Sequence, residues 1–340
     1  MSEILTAGGA AGGEVAGQRV RRPDASSLSR RVLVSPGMCG GSLLFGRIGD
    51  WTWEAVAAAC GTNVHAARTP DGRAAYLSFY YYRVRGGRTL HPHGLAFGDE
   101  LRVDSRVFQY GGQSALTLHR LAPADLDLPD GPLDPAEVYE RPHPDCLYAE
   151  NFNRWISRSH PASNQGLAQT APPEFDHRHL PRPPNAHSPR SVVGRAREAG
   201  TFHTAPPPGF APVGPEFACA HELDVVRDLN GAGLMYFASY FAVFDTALLR
   251  LWRALGRDDA LFLGRRVLDE RIGFFGNADP GAVFRIEVRR WRATDRPGAE
   301  IADMALRDDA SGRLLAVASI ETEMDDVHRT GAESEGEGPR

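Results

Sequence analysis

Leu234-Met235-Tyr236-Phe237-Ala238-Ser239-Tyr240-Phe241-Ala242-Val243-Phe244-Asp245-Thr246-Ala247-Leu248, running on to Leu255, decides the fold. Leu234, Phe237, Phe241, Phe244 and Leu248 recur at three- and four-residue spacing. The stretch therefore predicts a helix over 234–255 whose apolar face is wide enough for a sheet to cover. Extended segments follow at 282–291, 301–307 and 314–324. In the first of them Phe284, Ile286 and Val288 alternate with Arg285, Glu287 and Arg289, the pattern of a half-buried strand.

The same plan occurs earlier in the chain. A strand at 32–34 precedes a helix expected to start at Asp50, whose carboxylate can cap it, with Trp53, Val56, Ala57 and Cys60 at helical spacing. Extended segments follow at 75–85, 100–108 and 114–121. One long helix followed by several strands predicts an antiparallel sheet wrapped around a central helix, so two such units would pair as halves of one α+β body. Between them lies a Pro-rich span that includes Pro172-Pro173, Pro183-Pro184 and Pro206-Pro207-Pro208. So many prolines argue against regular central strands, and the length argues against an ordinary loop. Phe152, Trp155 and Ile156 give the span something to bury, so it is expected to wrap the body in an ordered way. The expected organisation is a disordered tail over 1–28, a first unit over 29–125, the Pro-rich connection over 126–217, a second unit over 218–326 and a disordered tail over 327–340.

Composition excludes several functions. All 38 residues in the Lys+Arg count are arginine. No lysine is present to form a Schiff base, anchor pyridoxal phosphate or serve a P-loop. A net charge of -5 is of the wrong sign for a dedicated nucleic-acid binder. No apolar run approaches a membrane span, and the start of the chain lacks the order of a signal peptide, so a cytoplasmic protein is expected. Cys39, Cys60, Cys146 and Cys219 are scattered and read as free thiols. His91-Pro92-His93 and His177-Arg178-His179 have metal-like spacing but belong to no usual zinc constellation, and each is read as a surface pair. There is no GxSxG elbow and no HExxH, which disfavours serine acyltransferases and zinc hydrolases.

Four features carry candidate chemistry. In a regular strand, Tyr80 and Tyr82 of Tyr80-Tyr81-Tyr82 would face one way and Tyr81 the other. The run is either interface packing or a source of a phenol acid, oxyanion donor or nucleophile. Asn151-Phe152-Asn153-Arg154-Trp155 is either a polar pocket wall or a backbone-capping loop. Asn230-Gly231-Ala232-Gly233 precedes the second helix and would let a ligand approach its N-terminus, and Gly40-Gly41-Ser42 parallels it in the first half. Arg182, Arg190, Arg195 and Arg197 are either a run that binds the phosphates of a large cofactor or an acidic protein, or a solvated face.

The helix-plus-sheet unit resembles the hot-dog fold, and two copies resemble a double hot-dog. More narrowly, five segments resemble the acyltransferase/decarboxylase family of leinamycin-type polyketide biosynthesis. They are Pro36-Gly37-Met38-Cys39-Gly40, Ile48-Gly49-Asp50-Trp51-Thr52-Trp53, Phe79-Tyr80-Tyr81-Tyr82-Arg83, Asn151-Phe152-Asn153-Arg154-Trp155-Ile156-Ser157-Arg158 with Glu150 before it, and Asn230-Gly231-Ala232-Gly233. The resemblance implies an enzyme that takes methylmalonyl from methylmalonyl-CoA, decarboxylates it and loads propionyl onto an acyl carrier protein. It also implies a tyrosine acyl acceptor, here Tyr82 first and Tyr81 second, with Asn151, Asn153, Arg154, Asn230 and Gly231 binding substrate. Coenzyme A then enters as a thioester substrate, and no bound cofactor is expected. Two units complete one pair inside the chain, so a homodimer is allowed but not required.

Two other readings stand beside this one. Simple hot-dog thioesterases often carry an acid just after an aromatic pair on the central helix. After Tyr240-Phe241 this chain has Ala242, leaving Asp245 or Glu54 to activate water in a thioesterase or dehydratase. A non-catalytic body that binds acyl carrier proteins is the third reading.

Overall fold

The computed structural model describes residues 20–184 and 186–324. The first unit contains β1 (Val20–Arg21), β2 (Ser27–Leu33), α1 (Gly41–Cys60), β3 (Tyr76–Arg85), β4 (Glu100–Gln109), β5 (Ser114–Pro123), α2 (Pro135–Tyr139), β6 (Leu147–Arg158) and β7 (Leu167–Gln169). A crossing helix α3 (Pro189–Ala199) leads to the second unit. That unit contains β8 (Phe210–Pro212), β9 (Phe217–Glu222), α4 (Phe237–Ala254), α5 (Asp259–Leu263), β10 (Arg266–Phe274), β11 (Val283–Ala293), β12 (Ala299–Asp308) and β13 (Leu314–Glu323). Among the described residues no helix is long and apolar enough to cross a membrane.

Each unit is an antiparallel sheet curved around its long helix, the double hot-dog architecture. The two sheets are fused into one, in the order β1-β2-β4-β5-β6-β3-β10-β13-β12-β11-β8, with β7 on β6 and β9 on β11. The seam is the β3–β10 ladder, from Arg85 opposite Asp269 to Tyr81 opposite Gly273. Across it the guanidinium of Arg83 pairs with the Asp269 carboxylate. One apolar core spans the seam: Phe45 of α1 lies 4.6 Å from Phe241 of α4, centroid to centroid, and both are fully buried. At roughly 1.5–3 kcal/mol per buried aromatic or aliphatic side chain, this shared core makes the halves interdependent.

Several expectations are corrected. Helix α1 starts at Gly41, nine residues before Asp50, because Leu44, Ile48, Trp51, Ala55 and Ala59 extend the buried spacing upstream. Asp50 is therefore a mid-helix residue and caps nothing. Helix α4 starts at Phe237 because Leu229 and Met235 form a bridge that keeps 234–236 extended. The expected connection over 126–217 contains β6, a central strand between β5 and β3. The segment Leu147–Arg158 is free of proline and bracketed by Pro144 and Pro161, so the argument from prolines does not reach it. Residues 20–28 include β1 and the start of β2, so the first unit begins earlier than 29. Residues 1–19 and the expected tail over 327–340 lie outside the described residues.

Candidate functional site

The seam between the halves is incomplete, and the gap holds the site. Strand β3 pairs with β10 only from Tyr81 to Arg85. Upstream, Tyr76–Phe79 pair with β6 on the other side, while beyond β10 the Phe275 and Gly276 N–H groups turn to the Leu315 carbonyl. A cavity of about 600 Å³ occupies the resulting window. It is walled by Asp50 and Trp53 of α1 and by Tyr236, Phe237 and Tyr240 at the start of α4. Its outer rim carries Tyr80, Arg154, Arg197 and Phe275.

A β-bulge decides which tyrosine reaches this space. Phe79 is opposite Asn153 and Tyr81 opposite Phe152, which leaves Tyr80 as the extra residue. A bulge re-aims side chains locally, and here it breaks the simple alternation: Phe79 and Tyr82 both enter the core under the helices, while Tyr81 packs on the opposite face with Tyr80 against that cluster. Tyr82 is fully buried, its hydroxyl donates to the Phe45 carbonyl at 2.8 Å, and burial pushes its phenol well up. Tyr81 is also buried, and its phenol is pushed up by the same cause. Neither lines the cavity. Tyr80 does, half-buried, with the Arg154 guanidinium carbon 3.5 Å from its ring centroid.

Strand β6 sends alternate residues to opposite faces. Arg154 reaches the cavity, whereas Asn151 and Asn153 turn under α1 and line none of it. Asn151 Nδ2 donates to Thr52 Oγ1 at 2.6 Å, and Thr52 donates to the Ile48 carbonyl. His119 Nε2 lies 2.8 Å from Thr52 Oγ1, and His119 Nδ1 lies 2.8 Å from Ser105 Oγ. With the Thr52 hydroxyl committed to Ile48, the network assigns the His119 proton to Nε2 and makes Ser105 the donor to Nδ1. Burial, reinforced by the charge of Arg30, pushes His119 down to about 3, so the ring is neutral. This polar chain is a core feature of the first half.

Asn230 and Gly231 do lie on the cavity wall. Asn230 Oδ1 accepts from the N–H groups of Ala232 and Leu234 at 3.0 and 3.1 Å, so its side chain shapes the turn that delivers Tyr236 and Phe237. Helix α4 has no side-chain cap; the Ser239 N–H turns back to the Tyr236 carbonyl at 3.0 Å, while the N–H groups of Phe237 and Ala238 have no acceptor within the helix. One of them belongs to Phe237, a cavity residue, so the helix start can stabilise a developing oxyanion.

The helix acids fall differently from expectation. Glu54 pairs with Arg30, and Asp245 pairs with Arg265 at 2.6 Å; neither lines the cavity. The acid that does is Asp50. Burial raises its carboxyl, although Arg47 at 3.5 Å opposes the shift. Burial and the Asp50 charge push Tyr236 up to about 12. Asp50 and Tyr236 also line a second cavity of about 430 Å³ between the helices. The position reciprocal to the main chamber, where the start of α1 meets Asp245 of α4, is filled by Arg265 and His93.

Comparison with known proteins bears on this arrangement. The family model described as LnmK N-terminal Hot Dog Fold domain matches residues 29–204. No curated protein matches the chain. Among solved structures, an acyl-ACP thioesterase from Bacteroides thetaiotaomicron superposes with a TM-score of 0.54 at 8% identity, covering 89% of this chain and 100% of that one. A candidate oleoyl thioesterase from Lactobacillus plantarum gives 0.53 at 11% identity, covering 88% and 97%. At such identities the likeness is one of fold.

Proposed function

Because this chain belongs to the LnmK N-terminal Hot Dog Fold family, we propose that it is an acyl-thioester enzyme that takes methylmalonyl from methylmalonyl-CoA, decarboxylates it and delivers propionyl to the thiol of an acyl carrier protein. The observation that carries this reading is the bulge that brings Tyr80, under the Arg154 guanidinium, to the same cavity as the start of α4. Tyr80, in place of Tyr82 or Tyr81, is the acyl acceptor in this account.

The phenol oxygen of Tyr80 attacks the thioester carbonyl, the carbon–sulfur bond breaks, and coenzyme A leaves as the thiol with the phenol's proton. The Arg154 guanidinium, stacked on the ring, holds Tyr80 at the cavity, and the N–H groups at the α4 start stabilise the oxyanion. The methylmalonyl ester then loses carbon dioxide. The electron pair of the broken carbon–carbon bond becomes an enolate at the same N–H groups, and its carbon takes a proton through Asp50 and Tyr236. The carrier thiol attacks the propionyl ester, returning the proton to Tyr80.

A second reading, hydrolysis of the acyl thioester, is favoured by Asp50, a helix carboxylate facing the start of the other helix across the chamber. Product analysis separates the two. Incubation with methylmalonyl-CoA and holo carrier protein should give propionyl on the carrier. Methylmalonyl on the carrier would remove decarboxylation from the account, and free acid with an unloaded carrier would favour hydrolysis.

A further inference from the structure

Helix α3 crosses the outer face of the sheet beside the cavity rim. Its Pro189, Val193 and Ala196 are buried, and Arg190 and Arg197 project from the exposed side. With Arg154 of β6 these two make a group of three guanidiniums over a row of aromatic rings. Tyr110 and Phe152 are 4.6 Å apart, Phe152 and Tyr80 5.9 Å, and Tyr80 and Phe275 6.3 Å. Arg190 sits 5.2 Å from the Tyr110 centroid and 5.9 Å from that of Phe152, which Arg154 also approaches at 5.4 Å. Arg197 sits 5.8 Å from Phe275.

What distinguishes these arginines is that all three gather over one row of rings beside the cavity. Among the described residues none of the three has a carboxylate within ion-pair distance, although Arg83, Arg120, Arg257 and Arg265 all do. Arg154 Nε is buried without a partner. Three like charges gathered beside a cavity without a counter-ion suit a polyanion, and guanidinium forks match phosphate oxygens.

We propose that Arg190 and Arg197 form the subsite for the phosphate end of a phosphopantetheine thioester whose acyl end reaches Tyr80 in the cavity. The inference rests on the acyl-thioester reading above and adds the recognition element. A phosphate in this position belongs either to coenzyme A or to the phosphopantetheine arm of a carrier protein.

The test is a truncation series in the full-length protein. Methylmalonyl-CoA, its dephospho form, methylmalonyl-phosphopantetheine and methylmalonyl-pantetheine are compared in the wild type, Arg190→Ala/Arg197→Ala and the control Arg195→Ala. The double variant should raise KM for methylmalonyl-CoA about 10-fold or more, the scale of one lost charge-assisted contact, and leave the pantetheine thioester within about 2-fold. The series identifies which phosphate is read, and KM for the holo carrier shows whether the carrier uses the same subsite. An equal rise for the pantetheine thioester, or no rise for methylmalonyl-CoA, overturns the subsite. If the wild type turns over no thioester, the functional reading fails on its own terms. Calorimetric titration with coenzyme A then decides the subsite: weaker binding to the double variant upholds it, and equal binding overturns it.

Discussion

The ring of Phe237, the first residue of α4, fills the space over Gly49 in the middle of α1: a Cβ at Gly49 would lie 2.1 Å from Phe237 Cζ. Through this contact the two halves set the position of the helix start that faces the cavity.

Gly49→Ala tests the contact. In an unconstrained helix interior the change would stabilise by about 0.5–1 kcal/mol. Here the ring must move, and overpacking of this kind costs roughly 1–3 kcal/mol. Chemical denaturation should show a net loss of stability, which Phe237→Leu in the same chain partly restores. A net gain from Gly49→Ala alone would mean that the helices are not locked together here.

Tyr80 and Tyr82 should separate cleanly on substitution. Tyr82→Phe removes a buried hydrogen bond to the Phe45 carbonyl, costing about 0.5–1.5 kcal/mol, because that carbonyl lies within α1 and keeps its intrahelical partner. Acyl transfer by the folded variant should persist. Tyr80→Phe should leave the melting temperature within a few degrees of the wild type and abolish transfer. Melting curves and transfer assays on the two variants decide the assignment.

Asp50 gives the reaction a pH signature. Its carboxyl is raised mainly by burial. When it passes a proton to the enolate carbon, the rate of propionyl formation falls as pH rises through a carboxyl raised from its ordinary value. Asp50→Asn should slow that step by about 100-fold or more and flatten the profile. An unchanged profile in Asp50→Asn would take proton delivery away from this residue.

The neutral core histidine makes stability depend on pH. His119 is held at about 3 when folded, chiefly by burial, against roughly 6.5 for an unperturbed imidazole. The unfolded chain therefore binds the extra proton between these values. The contribution to stability is fully present above about pH 6.5 and is lost as pH falls below it, by at most about 1.4 kcal/mol per pH unit. His93, also held at about 3 mainly by burial, adds to the trend. Melting temperature should drop between pH 7 and pH 5, and His119→Gln should show a shallower drop than the wild type.

The sequence made the helix at 237–254, the strand at 76–85 and the pairing of two helix-and-sheet units readable, because long apolar periodicity survives without knowledge of the partner. It did not disclose β6 among the prolines, because a central strand needs only a proline-free window as long as Leu147–Arg158. Of the site, Arg154, Asn230 and Gly231 were identified as residues that reach the cavity, whereas Asn151 and Asn153 turned out to serve the core beneath α1. Of the tyrosine run, Tyr80 is the member that lines the cavity and Tyr81 and Tyr82 are not, which the run itself does not disclose, since a bulge is fixed by the register with β6 and leaves no local mark at Tyr80. Asp50 was hidden by being taken for a cap; its spacing from Trp53 on one helix face was the available signal.

The most direct test of the central claim is intact-protein mass spectrometry of the enzyme mixed with methylmalonyl-CoA and no carrier, followed by peptide mapping. The account predicts an acyl adduct on Tyr80 that disappears when holo carrier protein is added and never forms in Tyr80→Phe. An adduct on any other residue, or full transfer activity in Tyr80→Phe, would contradict it.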